Sequence, residues 1–448
     1  MELHTAPPPP PPPPPSKRLG KVMSLCMVVG TIIGSGITVL PATVAPFGFN
    51  IVLAFAVTIV GTICLALAMA RLALKLPGGP YTYISVAFGD TTAFVTMWSY
   101  LISQWTGVAA VAIAVGGALG HVFPMVSSGV PLAAVAIGSI LVLALVNLTG
   151  ARSAGMLQVT ATLIKIVPLL LVVLLVLLRL GTGQPLEALA PAPISMAGIA
   201  GAAALMLFAF TGFESAAVST NVTDDAADVV PSATVNGTIF VALIYLVATL
   251  SVLWLLPAAV AGSSSAPFAD ATAPTLGPVA GALVAVIGAI SAFGTGNALI
   301  LLSVEVARSI ANAGDLPPAF ARTNRAGVAT FSLLAATTVA VLLVLASISD
   351  NFVTVFNFVA LVSAVAALVL YLVCAAAALK LKAEKPVLAG IAILYAVAMF
   401  VGAGWEATLW GFGLMLAGLP LRWWSRRLNS KAGGSTPATV PAPAELRE

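Results

Sequence analysis

Two glycine-centred interruptions and two ionisable residues within apolar stretches carry the chemistry of this 448-residue chain. The first interruption, Gly34-Ser35-Gly36, falls in the middle of the apolar run from Val28 to Pro41. The second falls inside Phe208-Ala209-Phe210-Thr211-Gly212-Phe213-Glu214-Ser215. In lipid, a freed backbone N–H or C=O is costly unless it faces protein, water or a ligand. A helix broken at that depth offers donors and acceptors to a small polar solute, and many transporters build a substrate site this way. The ionisable residues are Glu214, just past the second interruption, and Lys165, within LQVTATLIKIVPLLL. Such residues inside a membrane are rare and mark ion, proton or substrate paths. Lys165 lies 13 positions beyond Arg152, about 20 Å at the helical rise. A lysine stem covers a fraction of that distance, which argues against snorkelling to the headgroups.

The elements that must hold these residues follow from composition. The chain is 60% hydrophobic and 8% charged, against about 25% charged in soluble domains, and its mean hydropathy is +1.10. A span needs about 20 apolar residues. Twelve segments qualify, near 22–45, 50–73, 91–119, 130–149, 154–180, 195–221, 233–256, 276–307, 328–348, 353–379, 387–405 and 408–424. The expected fold class is an all-α membrane protein with about 12 transmembrane helices. With the N-terminus in the cytoplasm, 17 of the 19 Lys and Arg fall inside, Arg179 falls outside and Lys165 lies within a helix. That bias sets orientation, so the formal charge of +4 describes a membrane-facing cytoplasmic surface and not a nucleic-acid site.

The remaining features are plainer. Cys26, Cys64 and Cys374 lie in apolar segments and read as small buried hydrophobes. The run Pro7 to Pro15 favours solvated polyproline II, not a signal peptide. Residues 1–19 and 425–448 are expected to be disordered cytoplasmic ends. His4 and His121 have no metal partner nearby in sequence, Glu305 and Arg308 read as a local ion pair, and Asp224, Asp225 and Asp228 as solvated loop residues.

The first and sixth segments are broken in corresponding places. Five segments per half turn the second half upside down, giving a 5+5 inverted repeat over 20–182 and 193–382, with two C-terminal helices over 386–424. Paired Gly-interrupted segments are the best sequence pointer to a midplane site. Four ordered motifs extend this: GTIIGSGITVLPA in the first segment, PGGPYTYISVAFG at 77–89, FTGFESAAVST at 210–220 with Val230-Pro231-Ser232-Ala233-Thr234, and AGDLPPAFARTNRAG at 313–327. Together they resemble the amino acid–polyamine–organocation (APC) transporters, from about Lys17 to at least Gly327. The fold this resemblance implies is the same inverted repeat with broken helices 1 and 6.

The resemblance also implies roles. The half-helix after the first break would receive a substrate carboxylate at the Ser35 and Gly36 N–H groups, where the helix dipole is positive. The ammonium would meet carbonyls of Ile32, Phe208 and Thr211. Phe208 would close over the substrate as a gate, and Tyr100, with Ser103 and Gln104, would face the same cavity. Lys165 resembles a lysine that replaces a sodium ion in some members, contacting carbonyls near Gly30 and Ile33. It would either couple transport to a proton or stand in for sodium structurally. Glu214 matches a proton-sensing glutamate of acid-resistance relatives. Leu299 stands where the arginine–agmatine exchangers carry a tryptophan, and leucine has no π-face for a guanidinium.

No nucleophile–base pair, embedded His cluster or phosphate-cradling loop points to an enzyme or to a cofactor. The expected function is sodium-independent secondary transport of amino acids by alternating access, proton-coupled or exchanging, with a neutral or broad substrate range; the alternative is a cationic amino acid or polyamine antiporter. The partners are the amino-acid substrate, membrane lipid and a proton as candidate co-substrate, with no nucleic acid and a partner subunit left open.

Overall fold

The computed structural model describes residues 21–76, 79–149, 164–214, 225–348 and 351–431, with no strand among them. The helices are α1 (Lys21–Ile32), α2 (Ser35–Val44), α3 (Asn50–Lys75), α4 (Pro80–Phe88), α5 (Asp90–Val122), α6 (Gly129–Leu148), α7 (Ile166–Gly181) and α8 (Met196–Phe210) in the first part. The second part holds α9 (Ala226–Leu255), α10 (Ala258–Ser263), α11 (Pro267–Leu276), α12 (Pro278–Asn312), α13 (Thr330–Ala346), α14 (Phe352–Lys380), α15 (Pro386–Gly402), α16 (Trp405–Leu416) and α17 (Gly418–Lys431). Proline begins α4, α11, α12 and α15, a position where its missing N–H costs nothing and its fixed φ suits a helix.

Six helices, α3, α5, α6, α9, α12 and α14, are long and apolar enough to cross a membrane. The shorter apolar helices fill the other expected segments: α1 with α2 is the broken first, and α8 leads to the second break. Helix α7 is the described part of the fifth, whose residues 154–163 lie outside the described residues. The chain is an integral membrane protein of the multi-span all-helical type. Two boundary differences from the sequence reading are the largest outside the second break. Helix α9 begins at Ala226, seven residues before the expected 233, and takes Asp228 into its first turn. The last helix runs to Lys431, beyond the 425 at which a tail was expected.

Apolar side chains face both inward and outward, as lipid allows. On α7, Leu169, Val172 and Leu175 are buried, while Leu170, Leu174 and Leu177 are exposed. Because lipid is as apolar as leucine, helices in a membrane associate by close packing and by hydrogen bonds. Helices α5 and α14 are buried along most of their length and pack on each other, and α12 packs along α5. At Gly117 of α5 a methyl group would stand 2.3 Å from the Phe352 ring, so only hydrogen fits there. One end of the bundle gathers most of the described basic residues: Lys75 Nζ donates 2.7 Å to Leu381 O, and Arg71 lies 3.9 Å from Glu384. Arg308 pairs with Glu305 at 3.4 Å near that end. The opposite end holds Arg179, and also His121, which sits in the last turn of α5 with its Nδ1 3.5 Å from Asp270 of α11. Cys64 and Cys374 are free and buried.

Candidate functional site

The first break comes where glycine offers no side chain and little helix propensity. Helix α1 stops at Ile32, Gly34 is extended (φ −126°, ψ −160°), and α2 restarts at Ser35. Two carbonyls freed there are taken by side chains from distant helices. The Tyr245 hydroxyl donates 2.7 Å to Ile32 O and accepts Gly34 N–H at 3.4 Å. The Lys165 ammonium donates 2.9 Å to Ile33 O and is 4% exposed. Tyr245 itself is fully buried and packs edge-on against Phe210.

The second break follows Phe210. Thr211 leaves the helix (φ −57°, ψ 143°), and its hydroxyl folds back 2.8 Å onto Phe208 O. Gly212 takes φ +111°, a conformation open to glycine and rarely to other residues. Its carbonyl accepts the Thr31 hydroxyl at 3.0 Å, which joins the second break to the end of α1. The two broken helices also meet backbone to backbone. A methyl group at Gly36 would stand 2.4 Å from Ala209 Cα, and one at Gly212 would stand 2.8 Å from Thr31 O.

Glu214 is buried and bonded on both oxygens. Tyr100 of α5 donates 2.7 Å to Oε1, Gly212 N–H donates 3.0 Å to Oε2, and the Tyr371 hydroxyl of α14 lies 3.3 Å from each. Helices α5, α8 and α14 therefore converge on one carboxylate. Phe208 is also buried, with its ring edge-on to Phe356 of α14 at 5.9 Å. One turn beyond Tyr100, Ser103 O accepts the Ser363 hydroxyl at 2.8 Å. Gln104 is buried, and its Oε1 has no hydrogen-bond partner. Leu299 faces Gly107 and lies beside Ser363: a methyl group on Gly107 would be 3.2 Å from Leu299 Cδ1 and 3.3 Å from Ser363 Oγ.

The structure thus places Ile32, Gly36, Phe208, Thr211 and Glu214 at two adjoining breaks, with Ser35 opening α2, Lys165 reaching the first break and Tyr100 the second. It differs from the sequence reading in one respect. The carbonyls of Ile32 and Phe208 were expected to be free for a ligand, yet they accept Tyr245 and Thr211 hydroxyls, because buried acceptors are seldom left unpaired. A carbonyl has two lone pairs, so Ile32 O keeps a second acceptor position, while Phe208 O also takes the Thr211 backbone N–H at 3.4 Å and is filled. Tyr245, Tyr371 and Thr31 were not singled out from sequence. The available signal was a tyrosine hydroxyl in the middle of an otherwise apolar span.

Tyr245→Phe tests the tie at the first break. The hydroxyl serves two backbone groups, and leaving either unmade in a dry interior costs about 1–3 kcal/mol. The expected result is a lower melting temperature of the detergent-solubilised protein. Unchanged melting would show that the hydroxyl does not hold the break.

The amino acid permease family model matches residues 19–431, so the chain belongs to that family of transporters. A cadaverine/lysine antiporter of Escherichia coli (strain K12) is 29% identical, over 72% of this chain and 73% of its own length. A putative arginine/ornithine antiporter of Bacillus subtilis (strain 168) is 26% identical, over 90% of this chain and 96% of its own. A putrescine transporter, PotE, of Escherichia coli (strain K12) is 25% identical, over 88% and 93%.

Proposed function

We propose that this permease exchanges cationic amino acids and polyamines whose terminal group is a primary ammonium, by alternating access across the inner membrane. The observation that carries this reading is the buried Glu214 carboxylate at the second break, within reach of helices α5, α8 and α14. A carboxylate in a low-dielectric cavity is a counter-charge for a substrate cation. The names of the three relatives add support, since lysine, cadaverine, arginine, ornithine and putrescine are all cations. The neutral range expected from Leu299 gives way on this point. Leucine removes the stacking partner that a guanidinium uses, but an alkylammonium needs acceptors instead. The Gln104 Oε1 atom, the Ser103 and Ser363 oxygens and Glu214 are such acceptors.

In this mechanism the substrate carboxylate meets the backbone N–H groups at the start of α2, at Ser35 and Gly36, where the helix end is positive. The α-ammonium takes the second lone pair of the Ile32 carbonyl and the Thr211 carbonyl, since Phe208 O is already filled by Thr211. Phe208 and Tyr100 close the cavity. The Lys165 amine supplies the positive charge that a sodium ion would otherwise bring to the first break, and Glu214 or Lys165 carries any coupled proton. Both chain ends face the cytoplasm in this arrangement.

Counterflow in proteoliposomes tests it, with twenty amino acids, putrescine, cadaverine and agmatine as competitors, with and without a pH gradient and sodium. Lysine, ornithine, putrescine and cadaverine are expected to compete at least about tenfold better than leucine or alanine, equivalent to about 1.4 kcal/mol. Arginine and agmatine are expected to fall between, with no effect of sodium. Stronger competition by neutral amino acids would return the site to a neutral substrate.

A further inference from the structure

Two motifs of this chain have no part in the substrate site: PGGPYTYISVAFG at 77–89 and AGDLPPAFARTNRAG at 313–327. They meet at one carboxylate at the basic end of the bundle. Asp315, in the turn after α12, has no exposed surface. It accepts a hydrogen bond from the Tyr81 hydroxyl of α4, from Arg422 Nε at 2.9 Å and from Arg426 Nε at 2.6 Å. Arg422 also donates 2.7 Å to the Thr91 hydroxyl near the start of α5 and lies over the Phe94 ring at 5.2 Å. Burial, reinforced by the Asp315 carboxylate, pushes the Tyr81 hydroxyl up from its ordinary range, so it remains a donor. Helix α4 joins α3 to α5, so this buried cluster ties that linker, the turn after α12 and α17 into one knot.

The other face of α17 is exposed along its described side chains. Its sequence GLPLRWWSRRLNSK contains four basic residues and no acidic one. Arg422 and Ser425 turn inward and are buried, while Leu419, Trp423, Trp424 and Arg427 lie outward on the remaining arc. Trp423 and Trp424 are 57% and 52% exposed, too much indole surface for a helix end in water. The Arg427 guanidinium sits 3.5 Å over the Trp423 ring. The helix follows the apolar α16 after a one-residue turn at Ala417; with α16 in hydrocarbon, its outward face would lie where hydrocarbon gives way to headgroups. Tryptophan prefers that depth, and basic residues there attract anionic lipid, each by about 1 kcal/mol.

We propose that α17 is a surface-binding helix for anionic phospholipid headgroups, seated by Trp423, Trp424 and Arg427, and that this seating keeps Arg422 and Arg426 on Asp315. Bound lipid then sets how firmly the α3–α5 linker is held at the basic end. The lipid-binding half stands alone, and its effect on exchange rests on the transport reading above.

The test uses the full chain in vesicles of phosphatidylcholine with or without one quarter phosphatidylglycerol, each lipid also supplied brominated as a tryptophan quencher. For the wild type, brominated phosphatidylglycerol is expected to quench more than brominated phosphatidylcholine at equal content. The excess should vanish in Trp423→Ser/Trp424→Ser and shrink in Arg427→Gln. Counterflow should change at least threefold between the two lipid mixtures in the wild type. Asp315→Asn should keep the excess quenching but respond less than twofold to lipid. Equal quenching by the two lipids overturns the binding site whether or not the protein exchanges solutes. Excess quenching with exchange rates indifferent to lipid in an active wild type overturns the link to Asp315. Absence of all counterflow with the excess quenching intact would count against the transport reading and leave the lipid site supported.

Discussion

Replacing Lys165 by methionine is expected to lower exchange by about 10- to 100-fold. The variant keeps the stem's bulk and removes the charged donor that holds Ile33 O at 2.9 Å. Hydrogen bonds to charged groups contribute about 1.5–3 kcal/mol, and each 1.4 kcal/mol is about a tenfold change in the fraction of molecules with a closed break. Lys165→Ala should do at least as much, because it adds a cavity. Two readouts separate the roles the amine can play. If it is a fixed substitute for sodium, melting temperature and exchange fall together at every pH. If it also carries the coupled proton, the residual exchange of Lys165→Met no longer responds to a pH gradient that accelerates the wild type. Full exchange by Lys165→Met would take the lysine out of the mechanism.

The second large effect is expected at Glu214. Glutamine has nearly the same shape, but four contacts reach the carboxylate and all come from donors: Tyr100, Gly212 N–H and Tyr371 on both oxygens. Whichever way a glutamine amide is turned, its NH2 group meets one of them. The variant therefore loses the negative charge and leaves at least one buried donor without an acceptor, at about 1–3 kcal/mol. Competition by lysine and cadaverine is expected to weaken at least about tenfold, while any weak competition by leucine changes less than threefold. That difference isolates the charge from general loss of the fold. Lysine competition unchanged in Glu214→Gln would show that the carboxylate is not the cation's partner.

The helical membrane architecture was legible because lipid enforces a simple code of long apolar runs with basic residues at one end. Both breaks were legible as well, since Gly34-Ser35-Gly36 and Thr211-Gly212 combine weak helix formers with polar neighbours inside apolar segments. Lys165 and Glu214 announced themselves as ions in hydrocarbon. What the sequence concealed were partnerships across the fold. Tyr245 bonds a carbonyl 213 positions away, and Tyr371 bonds a carboxylate 157 positions away. Neither tyrosine has a local pattern that distinguishes it from one packed in a core. Asp315 was visible within a motif, but its partners Arg422 and Arg426 were read as part of a general basic surface, and nothing local marks an arginine as buried. Helix α17 escaped for a related reason. Residues 418–424, with both tryptophans, read as the end of the last span and residues from 425 as a tail, so the helix that joins them was split between the two.

The contact of Gly36 with Ala209 has a mechanical consequence. Each helix end touches the other's main chain, at Gly36 and again where Thr31 meets Gly212. Main chain cannot yield as a side-chain rotamer can, so sliding one piece past the other would collide within a fraction of an ångström. In the exchange proposed above, the two interrupted rods would then travel as a single yoke and carry both ends of the solute at the same instant.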